Sequence, residues 1–201
     1  VKLLRGCIEV NKQTELTYST NDALKLLFIA TPQWRKGVYE IPKILDSLPD
    51  KNDRLYWFGV DPNSNVANQV TFSADKMGLA DQLVIEGKYI NIEEVLKNGF
   101  DVNLILAHEE PGPLTLLEVG RYGIPSICWS EGVGLYDIIN DDNGWRIRYM
   151  DFKQLGQVLN EIKGNKSSIY YKGSNISKQI LSEFNSALRA EELITALQHK
   201  W

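Results

Sequence analysis

The sequence predicts an α/β fold: a doubly wound, mostly parallel sheet with helices on both faces. Short apolar runs bounded by turn residues alternate with stretches of helical period, the pattern of strands joined by crossover helices. The runs at 24–30 and 102–107 read as buried strands, each followed by a loop and then a helical pattern. With 201 residues, 43% of them hydrophobic and 24% charged, the chain is long enough for one well-buried core or two small ones.

The elements follow in order. Residues 1–23 are polar and without period, and read as a linker or arm; 24–201 form the domain. After the first strand at 24–30, Val38, Ile41, Ile44, Leu45 and Leu48 recur at helical spacing up to Pro49 and Asp50. Pro42 cannot donate inside that helix, which moves its expected start toward Glu40. A second strand at 55–60 closes at Asp61, Pro62 and Asn63. A third is expected at 69–72, with a short helix near 74–78. A strand at 83–86, Gly87 and a helix at 92–97 come next. The strand at 102–107, a helix at 114–122, a strand at 125–129 and a helix near 135–139 fill the middle. A short strand at 145–148 and a helix at 152–162 precede a long apolar stripe, Ile176 to Leu197, with a break expected near Ala190 and Glu191.

Composition removes several function classes. The formal net charge is −4 and the 22 Lys and Arg are scattered, so no basic stripe marks a nucleic-acid binder. No apolar run approaches the roughly 20 residues of a membrane span. Cys7 and Cys128 are far apart and lack ligand spacing, which fits reduced thiols in a cytoplasmic protein. The chain begins at Val1, consistent with a piece of something longer.

The chemistry concentrates at Glu109, Glu110, Pro111, Gly112, Pro113 and Leu114, where the strand at 102–107 gives way to a helix. In open parallel sheets ligands bind at the carboxyl ends of strands. Pro113 suits the first helical position, so the amides of Leu114, Thr115 and Leu116 are expected to point outward without partners, able to meet a diphosphate. Glu118, one turn into the helix, can accept two ribose hydroxyls, and Glu110 the hydroxyls of a sugar. The same residues also fit a plainer arrangement, in which Glu109 and Glu110 complement the helix dipole and Glu118 is solvated. Two acids beside a diphosphate require cations, and Arg35 and Lys36 follow the first strand at the same edge. His108 is expected to be satisfied by a neighbouring carboxylate. Trp34, Trp57, Trp129 and Trp145 suit core or cleft wall, with the Trp34 loop facing the crevice.

Together these pieces resemble the nucleotide-sugar-binding C-terminal domain of GT-B retaining glycosyltransferases, the "glycosyl transferases group 1" family. The resemblance runs from about residue 24 to 190. It rests on Arg35-Lys36-Gly37-Val38, on Glu110 and Glu118 bracketing Pro111-Gly112-Pro113-Leu114, and on Gly123-Ile124-Pro125. Ser130-Glu131-Gly132-Val133-Gly134, Asp137 and Asn143-Gly144 complete it. It implies a Rossmann-like domain and transfer of a sugar from a UDP-, GDP- or ADP-sugar, with retention, without metal or other cofactor. Glu118 would hold the ribose, Glu110 the donor sugar, and Lys36 with the amides after Gly112 the diphosphate; residues 87–89, with Tyr89, would lie near the base. Catalytic roles would fall to Glu110 and Lys36, and donor binding to Glu118, Gly112, Leu114, Thr115, Arg35, Thr31 and Tyr89. The acceptor, a glycan or lipid, would reach it through an N-terminal domain this chain lacks, and an exposed C-terminal stripe would favour oligomers.

Departures from the family pattern keep other classes open. The family's Arg five or six residues before the Lys is replaced by Thr31 and Ala30, and the turn's second Gly by Pro113. A scaffolding domain that kept the fold and lost catalysis would tolerate both changes. An unrelated doubly wound domain is the third class: a sugar-phosphate epimerase half, or a signalling receiver, whose acidic cluster is missing at Thr31-Pro32-Gln33.

Overall fold

In the computed structural model, residues 22–89, 91–131, 134, 138–187, 190–191 and 194–195 are described. Six strands form one sheet: β1 (Lys25–Ile29), β2 (Arg54–Phe58), β3 (Leu83–Gly87), β4 (Val102–Ile105), β5 (Ser126–Trp129) and β6 (Gly144–Ile147). Their order is β3-β2-β1-β4-β5-β6, and all five pairings are parallel. The order reverses between β1 and β4, which leaves a crevice at their carboxyl ends. Side-chain alternation along β1 divides the core between the two faces. Leu26 and Phe28 join the larger cluster with Ile41, Ile44 and Leu45 of α1 (Ile41–Asp46) and Leu155 of α5 (Phe152–Gly164). Leu27 packs with Val95 and Leu96 of α3 (Ile92–Leu96) and Val119 of α4 (Leu114–Gly120). Helices therefore cover both faces, as the sequence predicts.

One expected element is overturned. Residues 69–72 are not a strand but the middle of α2 (Asn65–Lys76), which also absorbs most of the short helix expected after them. Val70, Thr71 and Phe72 favour strands intrinsically. The deciding pattern is Ala67, Val70 and Ala74 at i, i+3 and i+7, all buried, while Phe72 is 62% exposed. Ser64 starts the helix by accepting from the Ala67 amide at 3.3 Å. Ser64→Ala removes that cap and is expected to cost about 1 kcal/mol, lowering the melting midpoint by about 2–4 °C in a calorimetric scan.

Smaller corrections concern boundaries. Two 3-10 turns, Trp34–Lys36 and Val38–Glu40, precede α1, and Pro42 sits in the first helical turn, where a missing N–H costs nothing. The last long helix, α6 (Ser167–Glu183), ends at Phe184 and not near Ala190 and Glu191. Ile176, Ile180 and Phe184 of the apolar stripe are buried on this domain, whereas Ile194 is exposed. Leu188, Leu193 and Leu197 lie outside the described residues, as do residues 1–21, 135–137, Gly132, Val133 and His199. Ile138 and Ile139, the end of the helix expected at 135–139, are not helical. No helix among the described residues is long and apolar enough to cross a membrane.

Buried carboxylates pin the opposite, amino edge of the sheet. Asp53 accepts from the Leu24 amide at 2.8 Å and pairs with Lys163 at 2.7 Å, while Asp101 accepts from the Lys25 amide at 2.8 Å. Cys128 lies buried in β5, and burial lifts its thiol to about 12. In a Cys7→Ser background this thiol is expected to ignore an aromatic disulfide reagent at about pH 8 and to react once guanidinium unfolds the chain.

Candidate functional site

Two loops meet at the switch point. The first leaves β1 through Thr31 and carries Arg35 and Lys36 in a single 3-10 turn. The second leaves β4 through His108, Glu109 and Glu110. The Arg35 carbonyl accepts from the amides of both His108 (2.8 Å) and Glu109 (3.1 Å), so the cationic and acidic loops are held in register. Gly37 makes this approach feasible. Its φ is +74°, and a Cβ there would stand 2.2 Å from the Leu106 carbonyl oxygen. From the other side, the Gly134 amide donates to the Glu110 carbonyl at 2.7 Å, and a Cβ at Gly134 would lie 2.0 Å from the Pro111 oxygen.

Glu110 is only 7% exposed and its carboxylate pairs with the Lys36 side chain. Arg35 adds a second cation 3.9 Å from the same carboxylate oxygen and also donates to the Glu109 carbonyl at 3.4 Å. Lys36, Glu110, Pro113 and Thr115 line a small, solvent-open concavity whose floor is the carboxyl ends of β1 and β4.

The donor set at the helix start is smaller than the sequence suggests. Pro113 is the residue before the helix, not its first member, and the Leu116 amide is spent on the Pro113 carbonyl at 3.1 Å. Leu114 and Thr115 remain as the outward amides. Gly112 stands exposed beside them, with nothing within 4 Å of an added Cβ.

Glu118 is half-buried one turn beyond Thr115. It faces Tyr89, whose phenol is held above its ordinary value first by burial and then by the Glu118 charge. Tyr89 packs edge-on to Phe58 with ring centroids 6.3 Å apart. The carboxylate assigned to a ribose and the aromatic assigned to a base are thus neighbours, although neither lines the concavity at Lys36 and Glu110. Thr31 is exposed on the β1 loop, and its carbonyl accepts from the Gln33 amide at 2.7 Å.

On the other side of Glu110, His108 is buried, its Nδ1 2.8 Å from the Tyr149 hydroxyl. The nearby carboxylate is Glu40, 3.8 Å from Nε2, and not one of the acidic pair beside it in sequence. Trp34 stacks on the imidazole at 4.8 Å. Tyr149 and Glu40 were not singled out from the sequence, because they lie far along the chain from His108 and carry no motif. Of the other tryptophans, Trp57 and Trp129 are core, as expected, and Trp145 is half-buried.

No family model and no curated protein sequence matches the chain. Solved structures do. The lipopolysaccharide outer core galactosyltransferase WaaB superposes with a TM-score of 0.83 at 18% identity, over 98% of this chain and 55% of that one. The C-terminal domain of a glycosyl transferase group 1 family protein, LpcC from Francisella tularensis, gives 0.68 at 16% identity, over 81% and 87%. The fold is that of a GT-B glycosyltransferase C-terminal domain. Anabaena HepE, solved in complex with UDP-glucose, gives 0.77 at 12% identity, over 88% of this chain and 49% of that one. The GT-B-like chain therefore spans about half the length of WaaB and HepE.

Proposed function

We propose that the chain binds a nucleoside diphosphate sugar at the carboxyl edge of its sheet and is the donor half of a glycosyltransferase. The observation that carries this reading is the assembled edge: Lys36, Glu110 and Thr115 line one concavity, Glu118 lies one helical turn beyond Thr115, and Tyr89 is near enough to feel the Glu118 charge. The nucleoside lies at the Tyr89 end, with Glu118 accepting ribose hydroxyls. The diphosphate meets Lys36, Arg35 and the amides of Leu114 and Thr115. Glu110 accepts hydroxyls of the sugar once Lys36 turns from it to phosphate. As the glycosidic bond breaks, charge grows on the leaving diphosphate, and prealigned cations and amides stabilise that charge without reorganising. Transfer to an acceptor with retained configuration follows from the family resemblance, and acts through a second, acceptor-binding domain.

A second reading has its own support. Thr31 supplies no cation, and Pro113 with the engaged Leu116 amide removes two donors from the phosphate site, which fits a domain that binds without transferring. Calorimetry with UDP, GDP and ADP distinguishes the two. The donor reading expects saturable binding of one of them, weakened by about tenfold or more in Glu118→Ala, since a carboxylate bonded to two hydroxyls is lost. No binding of any nucleotide at millimolar concentration overturns it.

A further inference from the structure

Trp34 is 60% exposed, although its ring is among the largest apolar surfaces the chain owns. It is nevertheless held. One face stacks on His108 at 4.8 Å with the planes 24° apart, and its loop is tied to the acidic turn through the Arg35 carbonyl. His108 is itself fixed by the Tyr149 hydroxyl at 2.8 Å. An indole kept in water and locked in orientation is a preorganised contact surface.

Its position sets what it contacts. Tyr89 follows β3, at one end of the sheet, and Tyr149 follows β6, at the other. Between them the β1 loop carries both Trp34 and Lys36 and the β4 loop both His108 and Glu110, and the bond from His108 to Tyr149 draws the stacked Trp34–His108 pair toward the β6 end. A group lying past the transferred sugar is the acceptor. Resting on the donor-site reading, we propose that Trp34 is an acceptor-side stacking platform for a sugar ring, so that the acceptor is a carbohydrate. A pyranose presents a face of polarised C–H groups, which suits the negative face of an indole, and a rim of hydroxyls, which suits carboxylates. Glu109 is exposed beside the platform and Glu40 lies against His108. With Arg35 next to Trp34 in the chain, these two acids leave the platform without an excess of cations, which suits a neutral polyol better than an anionic lipid headgroup or an acidic peptide.

The test titrates the chain with methyl α-glucoside, methyl α-galactoside and maltotriose, with and without saturating UDP, by calorimetry and tryptophan fluorescence. One of these sugars is expected to bind in the millimolar range and shift the emission of the exposed indole. Trp34→Ala should weaken it by about tenfold or more and abolish the shift, while Trp34→Phe keeps affinity within about threefold and UDP affinity stays unchanged in both. Normal UDP binding with no sugar response, or equal sugar affinity in Trp34→Ala, overturns the platform alone. Loss of anionic-vesicle binding on Trp34→Ala, without sugar binding, overturns it in favour of a lipid. Absence of UDP binding overturns the donor reading and the acceptor-side assignment with it.

Discussion

Lys36→Ala is expected to weaken nucleoside diphosphate binding by about a hundredfold or more. The lysine supplies one or two charge-assisted hydrogen bonds to phosphate, each about 1.5–3 kcal/mol. Removing it also leaves Glu110 as a poorly compensated negative charge facing the ligand, with Arg35, at 3.9 Å, the remaining cation beside it among the described residues. The same change lowers stability. A carboxylate this enclosed that loses its close partner costs several kcal/mol in a dry interior, and about 1–3 kcal/mol here, because Lys36 borders an open concavity. The double variant Lys36→Ala/Glu110→Gln separates the effects: its melting midpoint should return toward that of the parent, while binding stays lost. Lys36→Ala that binds UDP within threefold of the parent would remove the lysine from the site.

The residues of the candidate site stand out in the sequence because they are local. Lys36 follows the first strand, and Glu110, Thr115 and Glu118 share one turn and one helix; the parallel topology then brings strand ends together. What escaped depends on contacts distant in sequence. His108 meets Tyr149 across 41 positions, and Gly134 packs on Pro111 through backbone atoms alone. Neither leaves a mark in spacing. The misread segment at 69–72 has a different cause. The buried face of α2 uses the small Ala67 and Ala74 around Val70, so its helical stripe is faint, while the exposed Phe72 adds strand-like apolarity on the wrong side. Pro113 shows how far a motif reaches: it marks a helix start, but not which amides the first turn consumes.

Gly37→Ala is expected to be the most destabilising single substitution of those considered, and Gly112→Ala, in the same site, nearly neutral. At Gly37 the left-handed backbone alone costs about 1–3 kcal/mol for an L-residue. The added Cβ would also meet the Leu106 carbonyl oxygen at 2.2 Å, a backbone atom that moves only if β4 or the β1 loop moves. Overpacking of that kind adds about 1–3 kcal/mol, so a total near 4 kcal/mol and a fall of about 10 °C in the melting midpoint are expected. Because the shift separates the Arg35 carbonyl from the acidic turn, Lys36 and Glu110 also lose their register, and UDP binding should fall with stability. Gly112 has open space where its Cβ would be, and its φ is not left-handed, so the fold makes no demand for glycine there. If a diphosphate approaches the backbone at that turn, Gly112→Ala should leave the melting midpoint within about 1 °C and still weaken UDP binding. Equal UDP affinity in Gly112→Ala and the parent would place the phosphates elsewhere along the crevice.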